Sequence, residues 1–554
     1  MPAIDMAETG QVKMCPPTLK GMIMSLRLTS SALALMAFAM PAFADVTPEE
    51  VWQTWLDYYK STGYTVTEGS HDLAGETLTV KDIKFSTAVE GDKVEFTIPQ
   101  ITLQATGDGK VRTVYAETIP LTFSGTNVDT EEPFSGKLTM SMPGNETVTS
   151  GAVGDMTHDM VMPQLVVTLD EVKTGDKTPD IGVKFTATNS SGKMHTVAGS
   201  DAKYTSSMVS EKAELTMNVT DENEGKVNLT ASMSNLEMGG NVLGVAAAAE
   251  MQSNMAAALN KGFALDATMK VGQTEFAFDF AKPESAEEGT PAQNATGKGS
   301  IAGFDFAVNM SKDGLGYQVN SDKTQTSITS SDLPFPINYG IDSSSFDLQF
   351  PVSKSDTPAP FKVAYSINGV TFGDEIWDLF DAGKQLPRDP ASIDVDLTGT
   401  LKVIQDMFDP KVMDGGSETT IEDEAIADGE TGEVTEDMTE DYVAPPSPVE
   451  PVEITINQLA VSAVGAKITA HGSLKPSESG GIEAPVGTIN ARYEGVNGLI
   501  DKLGKMGLIP EDQMAGVRMM LAMFARPGEG TDVLTTDVEF KEDGSVFANG
   551  QQVK

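Results

Sequence analysis

The chain has 554 residues and one cysteine, and its 38 basic against 81 acidic residues leave a net charge of −43. An acidic excess of this size excludes nucleic acid as a partner, because phosphate binding rests on clustered Lys and Arg. It also repels anionic membrane surfaces over about one Debye length, roughly 8 Å, and the length admits two to four domains or one elongated one.

Residues 1–23 read as an over-extended start, since Met24 is a natural beginning for an export signal. Residues 24–44 have the layout of such a signal. Arg27 supplies positive charge, Leu33 to Met40 is a short apolar core, and Pro41 breaks any helix there. Ala42-Phe43-Ala44 then presents small residues at both positions that a signal peptidase reads, so cleavage is expected between Ala44 and Asp45. The apolar core is shorter than the about 20 residues that span a bilayer. Cys15 lies ahead of the expected cut. The exported chain is therefore expected to contain no disulfide, thiolate metal site or cysteine nucleophile.

Residues 45–281 read as a helix followed by an antiparallel β region. Thr47, Pro48 and Glu50 form a capping-box start. Val51, Trp55 and Tyr58 lie on one stripe, with Trp52, Leu56 and Tyr59 on the next, a broad apolar face suited to plug the end of a sheet. After Gly63 the period changes to 2. Leu78 and Val80 alternate with polar neighbours; so do Val94, Phe96 and Ile98, then Ile101 and Leu103, then Ile119, Leu121 and Phe123. Gly-Asp turns separate them, the pattern of antiparallel strands with one buried and one wet face. The alternation returns at Phe263 to Val271 and at Phe276, Phe278 and Phe280. Between these runs, Val242 to Leu259 is Ala-rich and reads as a helix stopped at Lys261-Gly262.

Residues 282–299 read as a linker or loop on composition. Residues 300–412 read as a middle β region with a short helix near 374–381, in "DEIWDLFDAG". Residues 413–452 read as an acidic disordered insert without calcium-loop spacing. Residues 453–554 read as a C-terminal β region with helices near 496–524, in two pieces around Pro510. The fold class is mainly β: extended antiparallel, curved sheets with a few short helices capping or flanking them.

Motifs for chemistry are sparse. His71-Asp72 and His158-Asp159 are adjacent pairs, which on strands point to opposite faces and cannot chelate together. With His195 and His471 they read as polar surface residues. Gly297-x-Gly299-x-x-Ala302 matches a loose dinucleotide pattern, but strand alternation follows at Phe304, Phe306 and Val308, where such a loop must open a helix. No residue is assigned to catalysis, a cofactor or a metal, and no cofactor is expected.

"FGDEIWDLFDAGKQLPRDPASIDVDLTGT", from Phe372 to Thr400, resembles the hallmark segment of an uncharacterised bacterial envelope family, a domain of unknown function found in long secreted proteins. "ITINQLAVSAVGAKITAHGSL" and "FKEDGSVFANG" resemble the same family. The C-terminal strands are also similar in style to AsmA-like envelope proteins, which implies long curved sheets and lipid handling between membranes. The expectation is an exported, non-enzymatic periplasmic or envelope protein without a transmembrane helix in its mature chain. It would bind a lipid or other hydrophobic ligand in a sheet groove, or an envelope protein partner. Two other readings stand beside it: an outer-membrane β-barrel, and a periplasmic hydrolase using paired carboxylates.

Overall fold

Alternation at period 2 gives each strand one apolar and one polar side, and neighbouring strands must pair with those sides aligned. The structure, a computed structural model, describes residues 45–61, 64–89, 92–126, 132–175, 178–199, 202–221, 225–244, 247, 250–251, 254–284, 291–413, 447–478 and 481–554. Ala44–Lys554 forms one unit, 65% of the described residues being strand and 13% helix. The 29 strands among the described residues make one antiparallel sheet. Thr65–Thr67 and Ser70–Ala74 pair with Thr77–Val89 at one edge. Val546–Ala548 and Gln551–Gln552 end the other. Among the described residues the two edges do not pair with each other, so the sheet is open.

A crease crosses most of this sheet. In Thr77–Val89 it falls at Asp82, in Asp180–Val197 at Asn189 and in Gly225–Leu243 at Asn235, all with positive φ near 50°. Asp and Asn tolerate this left-handed conformation better than most residues. Pairing resumes on each side without loss of register: Thr188 opposes Lys212 and Ser190 opposes Ser210, with Asn189 and Glu211 passed over. The Asn189 amide donates to the Glu211 carboxylate across the bend. Farther on, the crease becomes a break between collinear strands, at Gly272-Gln273, Ala302-Gly303 and Asp322-Lys323. Ala302 N–H to Lys323 at 2.9 Å and Asp322 N–H to Gly303 at 2.9 Å stitch it together.

The extra residue re-phases the alternation, as a bulge does. Val80 and Ile83 are both fully buried, three positions apart, and so are Ala213 and Ser210 within a few per cent. The same face thus stays inside on both sides of the bend. Ala213, Leu236 and Val271 form a small core in the angle, with Phe185 and Phe304 against it.

The sheet also rolls about the helix Pro48–Ser61. Trp52 Nε1 donates to Glu68 at 2.8 Å at the first edge, while the Tyr58 ring meets Tyr204 edge-on at 5.3 Å. Tyr204 lies seven strand spacings from that edge, roughly 34 Å on a flat sheet at about 4.8 Å each. Trp52 and Tyr58 are about 9 Å apart along the helix axis. A flat sheet cannot make both contacts. The capping box forms as expected, Glu50 N–H donating to Thr47 Oγ1 at 3.3 Å and Thr47 N–H to Glu50 Oε2 at 2.9 Å.

Three expectations change. Val242 and Leu243 end a strand rather than begin a helix, because Val242 pairs with Tyr204 on one side and Leu265 on the other. The described helix there is Met255–Asn260, capped by Asn254, whose side chain accepts from Ala257 N–H at 2.8 Å. Within 282–299, Gln293–Ile301 is a strand paired on both sides. The acidic run at 414–446 lies outside the described residues, and Val449–Ala463 is already a strand. The helices Asp374–Phe380, Val496–Lys505 and Glu511–Phe524 stand where the sequence puts them.

Gly297 and Gly299 lie opposite Phe278 and Phe276. A Cβ built at either glycine would collide with the facing ring, so the missing side chains let both rings lie flat on the sheet. Gly297→Val is expected to cost about 1–3 kcal/mol through overpacking. Adding Phe278→Ala should recover part of that loss in urea unfolding. Strictly additive effects would show that ring and glycine do not share the space.

Candidate functional site, an open apolar sheet face

Residues paired straight across a sheet share one face. One such row runs through Leu78, Leu103, Thr113, Thr147, Met160, Gly192, Met208, Met238, Met269 and Phe306. It continues through Val319, Phe346, Tyr365, Val395, Leu459, Ala470, Ala491 and Thr536. Across the crease a second row runs from Val66 and Phe85 through Phe96, Leu121, Leu138, Leu169 and Val183. It goes on through Met217, Leu229, Phe278, Gly297, Ile328 and Ile337. The two rows are the walls of an apolar trough.

Cover changes along it. Leu78, Leu103 and Thr113 are 0% exposed, while Met238 and Tyr365 in the same row are each 38% exposed. The covered end lies beneath the first helix, where Val51 and Trp52 join Leu78 and Val80 from one wall with Ile83 and Phe85 from the other. Past that helix the row is half-buried, until Thr536 closes it at 3%. A patch of this kind and extent marks a binding surface more often than an accident of packing.

The cap carries the protein's two perturbed histidines. His71 sits between Glu68, 2.8 Å from its Nδ1, and Glu49, 2.9 Å from its Nε2. The hydrogen bonds to Glu49 and Glu68 raise its pKa. His158 is 1% exposed, against the expectation of a surface residue. Its Nδ1 meets Thr149 Oγ1 at 2.8 Å, and Trp55 lies 6.0 Å away. Burial pushes its pKa down to about 4, with Asp159 opposing and His195 adding to the shift. Its parity with Met156 and Met160 is the sequence signal that places it inside. Asp159 points to water and pairs with Lys193 at 3.2 Å, so the adjacent pair does split across the two faces. His195 pairs with Asp155 at 2.7 Å, and His471 is exposed. Among the described residues no three His, Cys, Asp or Glu are grouped to hold a metal.

The glycines of the loose dinucleotide motif lie in the Gln293–Ile301 strand, where they make room for Phe276 and Phe278, and its Ala302 sits at the break that follows. A concavity of about 1060 Å³ crosses the strands between Lys184 and Gly373. Its lining mixes Lys184, Glu214, Glu275 and Lys298 with Leu215, Phe276 and Tyr339, so it has no single chemical character. Of the two residues at the expected cleavage point, Ala44 lies outside the described residues and Asp45 is exposed. Val46, next in the chain, is 3% exposed and bonded to Gly109. No described helix is long and apolar enough to cross a membrane.

A family model described as "Uncharacterized protein conserved in bacteria (DUF2125)" matches residues 274–551, half of the chain. The chain belongs to this family. The matched segment begins with the Thr274–Lys282 strand, just past the crease at Gly272-Gln273, and ends in the last strand. It holds the half-exposed stretch from Phe306 to Leu459, while the capping helix lies outside it. No curated protein and no solved structure matches the chain.

The two histidines give the cap opposite pH responses. His158 has a lowered folded pKa, so between about 6.5 and about 4 the unfolded chain binds a proton that the native one does not. Cap stability should fall by up to roughly 3 kcal/mol over that window as pH drops. His71 has a raised folded pKa, so its contribution is present below about 6.5 and fades as pH rises through the raised value. Urea unfolding followed by Trp52 and Trp55 fluorescence in a Trp377→Phe background should show both arms. His158→Gln should flatten the acid arm, and an unchanged acid slope would refute the assignment.

Proposed function

We propose that this is an exported, non-enzymatic envelope protein, released by cleavage between Ala44 and Asp45, that holds the hydrocarbon part of a lipid against its open sheet face. The observation that carries this reading is the change of cover within one register row, from 0% at Leu78 and Leu103 to 38% at Met238 and Tyr365. The same side chains that form a core under the helix are left half-wet beyond it. Their shape suits flexible chains: methionines at Met208, Met238 and Met269 adapt to irregular apolar partners. The leader at 24–44 and the absence of cysteine beyond Cys15 support export.

The alternatives have less support. A barrel needs its edges joined, and the described strands end in two separate edges. A carboxylate hydrolase needs an acid held protonated. Among the described residues, the carboxylates with shifted pKa, such as Asp381 and Asp532, are all shifted down.

The full chain, purified without detergent from its own envelope, should carry lipid in native mass spectrometry and solvent extraction, and its first residue should be Asp45. Met238→Glu with Tyr365→Glu places charges where both side chains already reach water. The pair should change stability by about 1 kcal/mol or less yet reduce bound lipid several-fold. Lipid-free native protein, or a double variant with its full load, would overturn the reading.

A further inference from the structure

The Glu511–Phe524 helix turns large apolar groups to water. Met519 is 73% exposed, Met520 61%, Met523 56% and Phe524 40%. The three methionines fall at helical spacings that share a face. Between Asp512 and Arg526 the sequence has one charged residue, Arg518, and that side chain is tied to Asp501 of the preceding helix. In a chain of net charge −43 the stretch from Gln513 to Ala525 is an apolar island free of acidic residues. The Val496–Lys505 helix beside it is anchored at its start, where Asp532 accepts from Asn497 and Gly498 N–H at 3.2 and 2.8 Å.

Its place in the fold is the second observation. Ile393, Val461 and Ile468 are 36%, 47% and 42% exposed and pair in one row. Each lies two positions from Val395, Leu459 or Ala470, so the strip belongs to the trough face. It passes through Tyr493, beside the start of the helix pair, to Leu534. An exposed apolar path therefore leads from the trough to the helices.

We infer that the Glu511–Phe524 helix seats this end of the trough on a lipid bilayer of zwitterionic headgroups. The inference rests on reading the trough as a lipid site. Methionine and phenylalanine on one side of a short helix suit the boundary between headgroups and acyl chains. The charge fits a zwitterionic surface: the methionine-bearing part of the helix, past Asp512 in its first turn, carries no acidic residue and has its one basic residue paired, and the rest of the chain repels an anionic surface. A bilayer is also the source from which hydrocarbon would enter the strip at Ile393, Val461 and Ile468.

Vesicle flotation of the purified full chain tests this. Wild type should float with phosphatidylcholine vesicles. Mixing in phosphatidylglycerol should weaken flotation at low salt, and high salt should restore it, the reverse of a polybasic anchor. Met519→Glu with Met523→Glu should lower the floating fraction roughly fivefold or more. Circular dichroism and extractable lipid should stay unchanged. Met519→Gln with Met523→Gln, milder for the fold, should weaken flotation in the same direction. Wild type that stays at the bottom, or variants that float like wild type, would overturn the proposal. So would a concentration-dependent dimer in light scattering that the variants abolish, since a second copy would then cover the patch. Flotation with no extractable lipid would remove the trough reading and leave the docking in place.

Discussion

An antiparallel sheet with one apolar face has to cover that face, and the character of this fold comes from how unevenly it does so. Fully burying a Leu, Ile or Phe side chain is worth about 1.5–3 kcal/mol, whereas the many exposed ion pairs, such as Lys212 with Glu214, are worth about 0–1 kcal/mol each. The cluster beneath Trp52, where Leu78, Ile83, Phe85 and Leu103 are all within 1% of full burial, is therefore the most strongly held part of the molecule. Beyond it the sheet is held by its ladder of hydrogen bonds and by the half-buried contacts of the trough. Stability is graded along the sheet, and the part with the least cover is the part least tightly held.

The crease is what lets one sheet supply both walls. A flat sheet of this width would present an apolar plane to water. A bend at the same level in successive strands turns the two halves toward each other. Because each strand gains its extra residue at the same level, pairing continues on both sides and the inner face stays inner. Asp82, Asn189 and Asn235 accept the left-handed backbone, and all three are exposed, on the wet side. The N-terminal helix then fixes how tightly the halves close at one end, through Trp52 at the edge and Tyr58 at Tyr204.

Much of this was legible in the sequence. The alternation gave the sheet, the Thr47–Glu50 box gave the first helix, and the jump from Ile98 to Ile101 already carried the crease as a phase break. The pairing order was not legible, since a row joins residues hundreds of positions apart. The crease residues were hidden because Asp and Asn are ordinary on a wet strand face. Val242 to Leu259 misled because alanine favours helices in isolation, while cross-strand pairing at Val242 decided otherwise. Gln293–Ile301 misled because Gly297 and Gly299 lower its hydrophobicity; their role becomes visible once Phe278 and Phe276 are seen opposite. His158 was missed by treating all histidines as polar when its parity put it inside.

Those glycines bear on whether the open face is incidental. A sheet that merely lacked cover would gain by raising its largest side chains to fill the trough. Here Phe276 and Phe278 lie flat over glycine backbone, which keeps the floor low and the space above it free. The last edge is treated in the opposite way. The strand at the last edge, Gln551–Gln552, is two residues long and exposed, which denies a template to another sheet. That backbone edge is thus short while the apolar face is kept clear. The flattened rings and the part of the row from Phe306 to Leu459 fall inside the family segment at 274–551, while Met208, Met238 and Met269 lie ahead of it. A smooth uncovered face over glycine backbone is what the acyl chain proposed above would require, a ligand without backbone hydrogen bonds of its own.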